Sequence, residues 1–205
     1  MRGEEYELRV FQKFVPKEAA AYCHKLWNEN GFEIKIVKGR NTKLGDFRYD
    51  PEIKKYAISV NNNLNSYAFL ITYIHEVAHY FTYLKYKNAV KPHGEEWKQM
   101  FKKLLVPMIQ KEIFPDSVQK ALSKHLRNPK AATCSDPDLY KALKTFDVNG
   151  SDIQLLSHLK SGEAFRFNGR DFKKISKRRT RSLCSEIKTG KQYLIPEIAE
   201  IEKLG

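Results

Sequence analysis

The chain has 205 residues, 41% of them hydrophobic, enough to bury a core without disulfide staples and too apolar for a disordered tail. Lys and Arg number 37 against 24 Asp and Glu, and the formal net charge of +13 calls for a polyanionic partner, nucleic acid before an anionic membrane surface. Cys23, Cys134 and Cys184 are too few and too far apart for a disulfide framework, and MRGEEYELRV puts acidic residues where a signal peptide needs an apolar stretch, so a cytoplasmic location is expected, or a nuclear one in a eukaryote.

Pro16 suits the start of a helix running to about residue 30 and closed by Gly31. Residues 32–38 alternate as a strand through Phe32, Ile34 and Ile36, and residues 44–49 and 56–60 read as two more, parted by Asp50-Pro51. The polar run 61–66 offers N-caps to a helix over about 67–87. Phe69, Tyr73, Val77, Phe81 and Leu84 recur on one side of it, and Leu70, Ile74 and Ala78 on the adjoining side. A helix apolar over so much of its circumference is central and buried. His75, Glu76 and His79 interrupt it, which makes it a poor membrane span, so no membrane partner is expected. Pro92-His93-Gly94 is a turn, and residues 95–105 form the next helix. Residues 127–152 mix helical patches with loop around Pro129, Pro137 and Gly150. From Glu163 onward the chain reads as β, with a hairpin signal at Asn168-Gly169 and a second turn at Thr189-Gly190. The expected class is α+β: a first domain over 1–125, then a linker and a small, mostly β domain over 126–205.

HEVAH at 75–79 carries the chemistry. Histidines four apart differ by only about 40° around a helix, so both imidazoles reach one point in space. Glu76 sits beside them and is the expected catalytic base, able to reach a water without being a ligand. Two histidines and a glutamate on a buried helix would strand polar groups unless something satisfies them. One zinc ion does so; hydrogen-bonded core histidines with Glu76 paired to a lysine or arginine are the alternative. A catalytic zinc takes three protein ligands and keeps one position open. The extended metzincin pattern is excluded, because Thr82 and Lys85 stand where it needs Gly and His. The third ligand is therefore His93 or one of the carboxylates Glu95 and Glu96, and a turn ahead of a helix is well placed to aim His93 at the facing helix.

HEVAHY, followed by HGEEW at 93–97, resembles the SprT-like zinc metalloprotease domain, the family of bacterial SprT proteins and of Spartan-type DNA–protein crosslink proteases. The resemblance takes in TKLGDFR at 42–48 and ISVNNNL at 58–64 and spans roughly residues 16–108. It implies a zincin-like domain with a small sheet beside the HExxH helix, His93 as third ligand, Trp97 packing the second helix on the first, and protein substrates bound or crosslinked to DNA. Many SprT proteins end in a zinc ribbon with two cysteine pairs. Here only Cys134 and Cys184 remain, with no CxxC, so the ribbon is expected to be a metal-free relic, as in a degenerate bacterial variant.

Residues 166–181 hold the densest charge: Arg166, Arg170, Lys173, Lys174, Lys177, Arg178, Arg179 and Arg181 against one acid, Asp171. Phe165, Phe167 and Phe172 are interleaved and read as core. From Arg170 onward these cations are the expected contacts to DNA or RNA backbones, sequence-blind and salt-dependent. The expected activity is a zinc metalloendopeptidase associated with nucleic acid. The competing readings are a DNA- or RNA-binding or transcription-related factor with a structural zinc, and a zinc hydrolase of another amide or ester. A peptidase needs an open strand edge beside the metal, and residues 56–60 are the expected edge.

Overall fold

A computed structural model describes residues 2–40, 43–129, 136–147 and 154–204, which fall into two compact units divided between Phe146 and Asp147. The architecture is mixed α+β, with two separate sheets.

The first unit opens with α1 (Arg2–Phe14), a helix the sequence reading passed over, and α2 (Lys17–Asn28). Pro16 separates them as the N-cap of α2. Phe11 of α1 is 4% exposed and sets its ring edge-on to Tyr73, with centroids 5.5 Å apart. Strands β1 (Glu33–Val37), β2 (Gly45–Asp50) and β3 (Lys55–Asn61) form a sheet in the order β1-β3-β2, with β1 parallel and β2 antiparallel to β3. This corrects the expected edge. Residues 56–60 lie in the middle strand, where Ile58 pairs with Ile34 on one side and Phe47 on the other, and Ile58 and Val60 are fully buried. The edge strands are β1 and β2.

Helix α3 (Ser66–Tyr86) is the central one. The Asn65 side chain caps it by accepting from the Ala68 N–H at 3.0 Å. Every residue from Ala68 to Ala78 is buried, which explains why its apolar positions run all the way round. Two tyrosines tie it down: the Tyr73 hydroxyl donates to the Cys23 carbonyl at 3.0 Å and the Tyr80 hydroxyl to the Asn30 carbonyl at 2.8 Å. Helix α4 (Glu95–Gln110) lays Trp97, Phe101, Leu104, Leu105 and Met108 into the same core. α5 (Asp116–His125) and α6 (Pro137–Lys144) follow. Leu139 and Leu143 of α6 join that core, and the Leu143 carbonyl accepts from the Asn65 amide at 2.9 Å. The unit therefore continues past the expected end at residue 125, to Phe146.

The second unit is a five-stranded antiparallel sheet in the order β7-β6-β5-β4-β8, from β4 (Ala164–Phe167), β5 (Arg170–Lys177), β6 (Arg181–Glu186), β7 (Gln192–Pro196) and β8 (Glu202–Lys203). Asn168 and Gly169 both take positive φ, 49° and 72°, as a two-residue hairpin of this hand requires. One face closes over Phe165, Phe172, Cys184 and Ile195, with Leu156, Leu159 and Ile201 beneath. Cys184 is buried, and Cys134 lies outside the described residues.

Candidate metal centre

His75 and His79 leave one face of α3, and His93 reaches them from the turn ahead of α4. The three Nε2 atoms form a triangle with edges of 3.1 Å (His75–His93), 3.2 Å (His75–His79) and 2.9 Å (His79–His93). Nitrogens about 2.0–2.1 Å from a tetrahedral metal stand about 3.3 Å apart, so the triangle is close to the size such an ion needs. His93 achieves this with a φ of 59°, a left-handed conformation unusual for a side-chain-bearing residue, though histidine tolerates it better than most. Trp97 backs all three rings, at centroid distances of 4.5 Å from His75, 5.2 Å from His79 and 4.7 Å from His93. Its indole N–H donates to the His75 carbonyl at 3.4 Å.

The electrostatics favour ligation. Burial, reinforced by the neighbouring histidines, drives the His75 pKa down to about 2 and that of His79 to about 3, and burial lowers His93 as well. All three imidazoles are then neutral near pH 7, the form that binds a metal. Each Nε2 presents either one N–H or one lone pair, so three mutual Nε2 contacts cannot all be hydrogen bonds. A cation at their centre removes the conflict. Glu95 is no rival ligand: its side chain is 74% exposed and pairs with Lys98 at 2.7 Å. Among the described residues the potential metal-holding group consists of His75, His79 and His93, with neither Glu95 nor Glu96 in it.

Glu76 lies one residue along α3 and is 7% exposed. Burial, with Asp46 adding to it, pushes its pKa up to about 8 against the opposing pull of Arg40, Lys43 and the Phe47 backbone N–H. Arg40 is itself held by the Asn61 side chain at 2.9 Å and the Ser59 hydroxyl at 3.2 Å. The start of β2 comes so close that a Cβ on Gly45 would lie 2.6 Å from Glu76 Oε1. Gly45 and Arg40 were missed by the sequence reading. A glycine opening a strand beside a charged run was the available signal, since glycine there marks close backbone approach. The remaining histidines stand apart from the group; His125, for one, is 2% exposed and bonds Asp136 at 3.0 Å.

The expected nucleic-acid residues divide. Lys173, Lys177, Arg178, Arg179 and Arg181 are exposed, with Arg178 and Arg179 in the turn joining β5 to β6 and Arg181 opening β6. Lys177 has Glu197 at 3.7 Å. Arg170 spreads over the Phe172 and Tyr193 rings, 5.3 and 5.0 Å from their centroids, and meets Glu186 at 3.4 Å. Lys174 is a correction. It is 4% exposed and donates to the Leu156 and Leu159 carbonyls at 2.8 and 3.0 Å, with Glu197 at 3.1 Å. It shares the inward face with Phe172 two residues earlier, so it cannot meet a phosphate.

The chain thus brings together three histidines able to hold a metal ion and a buried glutamate beside them. Residues 4–117 match the profile of the SprT-like family, more than half of the 205 residues, and the chain belongs to that family. No curated protein and no solved structure matches it. Among the described residues no helix is long and apolar enough to cross a membrane.

Proposed function

We propose that this chain is a zinc-dependent metalloendopeptidase, with His75, His79 and His93 as ligands and Glu76 as the catalytic base. One observation carries the reading: three imidazole nitrogens converge within 3.2 Å of one another next to Glu76, buried on the helix that carries two of them. An all-imidazole donor set suits zinc better than magnesium or calcium, and three protein ligands leave room for substrate where a purely structural clip wants four. Bound zinc would supply a Lewis acid that makes water acidic near neutral pH and polarises a carbonyl. The chain's own residues do the rest. Held ionised by the positive charge of an ion at the imidazoles, Glu76 would take the proton of the attacking water on a carboxylate oxygen and pass it to the departing amine nitrogen. Trp97 keeps the imidazoles in register from behind. The open edge of β2, which starts against Glu76, can align an extended peptide by backbone hydrogen bonds. A small sheet with such an edge beside the HExxH helix is what a zincin-like domain requires.

The substrate class we propose is protein bound or crosslinked to nucleic acid. The exposed Lys173, Arg178, Arg179 and Arg181, together with the net charge of +13, support polyanion binding by the second unit. The decisive experiment combines metal analysis with cleavage of a DNA-bound protein, with and without single-stranded DNA. Glu76→Gln should keep stoichiometric zinc and lose nearly all turnover. Full activity in that variant removes Glu76 from the mechanism.

A further inference from the structure

Beside the histidines lies a cleft of about 500 Å³, large enough for one bulky side chain and its neighbours. His79 and His93 form part of its lining. Phe47 and Tyr49 of β2 and Tyr83 of α3 supply aromatic wall, with Tyr83 5.8 Å from Phe47 and 5.3 Å from Tyr49 between centroids. The charged residues on the lining, histidines aside, are Lys87 and Lys91, and no carboxylate joins them. Lys87 holds its ammonium 5.1 Å from the Tyr83 centroid, where the ring face attracts it. Both lysines are exposed. The cleft is therefore aromatic in its walls and cationic at its rim.

We propose that this cleft is a specificity pocket for the metallopeptidase reading above, on which the proposal rests. It accepts a large aromatic or aliphatic substrate side chain near the scissile bond, favours an acidic residue next to it, and disfavours lysine and arginine there. A basic residue would enter beside Lys87 and Lys91 with no carboxylate to offset the repulsion. One charge pair near a protein surface changes preference by about five- to tenfold at low salt, less as salt rises.

The test uses the full-length zinc-loaded protein. Cleavage sites in a proteome-derived peptide library are mapped by mass spectrometry for wild type, the Lys87→Glu/Lys91→Glu double variant and a Lys103→Glu control on the exposed face of α4. In parallel, fluorescence anisotropy compares labelled Phe-Glu and Phe-Lys peptides on zinc-loaded Glu76→Gln protein with and without the double substitution. The expected result is enrichment of bulky apolar residues flanked by acids in wild type and the control, and a reversal toward basic flanks in the double variant, about tenfold or more. Anisotropy should give the same order. Unchanged profiles and equal binding in the double variant would overturn the pocket. Lysine-dependent binding without any cleavage would support the pocket and sink the peptidase; cleavage with no side-chain preference would do the opposite.

Discussion

Gly45→Ala tests whether the close approach of β2 is what positions Glu76. The added methyl would lie 2.6 Å from Glu76 Oε1, 2.8 Å from Glu76 Cγ and 2.8 Å from Thr72 Cγ2. Gly45 has no left-handed φ, so alanine suits the backbone and the effect isolates side-chain crowding. Restoring an ordinary contact of 3.4 Å needs a shift of about 0.8 Å. Thr72 cannot readily yield, since its hydroxyl donates to the Ala68 carbonyl at 2.8 Å, so the displacement falls on Glu76 or on the strand. Overpacking of this kind costs about 1–3 kcal/mol, a drop in melting temperature of about 2–12 °C for a unit of this size. Misplacing a catalytic group by about an ångström costs about a hundredfold in turnover. The assays are thermal unfolding by circular dichroism, zinc content by atomic absorption, and kcat and KM on a quenched fluorescent peptide. Zinc content should stay at one per chain, because no imidazole is touched, while kcat falls about a hundredfold and KM changes little. Wild-type kcat would refute the reasoning by showing that Glu76 tolerates displacement. Loss of zinc alongside turnover would refute it differently, by placing the damage at the histidines.

His93→Ala should lower zinc occupancy sharply in dialysed protein, while Glu95→Ala leaves it unchanged; the reverse pattern would make Glu95 the third ligand. Lys174→Ala should destabilise the second unit by up to about 3–5 kcal/mol, because it takes the nearer cation from the buried Glu197 carboxylate and leaves the more distant, exposed Lys177, and hydrogen exchange at the Phe172 and Cys184 amides reads that locally. Burial pushes the Glu197 pKa up, but the Ser182 hydroxyl and the Lys174 ammonium outweigh it and hold the carboxyl below the ordinary glutamate value. A depressed carboxylate stabilises above its unfolded pKa of about 4.3 and stops doing so as pH falls through the lower folded value. Exchange protection should therefore hold from neutral pH to about pH 5, decline below about pH 4, and lose that decline in Lys174→Met. Arg178→Gln/Arg179→Gln/Arg181→Gln should weaken single-stranded DNA binding and flatten its salt dependence by up to about two in the log–log slope; an unchanged slope means the turn does not touch phosphate.

What could be read from the chain divides along a physical line. HEVAH was legible because two histidines one helical turn apart, on a segment apolar all round, admit few other readings. The approach of His93 was readable only as a turn: its left-handed φ depends on α4 docking through Trp97 and Phe101, contacts distant in sequence. Helix α1 left a signal in Leu8, Phe11 and Phe14, spaced by three, but so many charges surround them that packing on α3, Phe11 on Tyr73 and Phe14 on Phe69, decides the matter. Lys174 went wrong for a local reason. Charge was read as a cluster when parity mattered, and the residue two after a core phenylalanine faces the core too.

The strand order shows the deeper difficulty. Which of three short strands takes the middle depends on pairings across the sheet, yet their side chains held a clue. Ile58 and Val60 of β3 are fully buried, whereas β2 carries Asp46, Arg48 and Asp50 in alternation. Alternating charges are how an edge strand discourages pairing with a second sheet. They do not close the backbone to a single extended chain, which can bond to its N–H and C=O groups while its side chains find their own places. With Gly45 at its start, that edge meets Glu76 at contact distance, so one strand both sets the position of the carboxylate and offers the line along which a peptide would reach it.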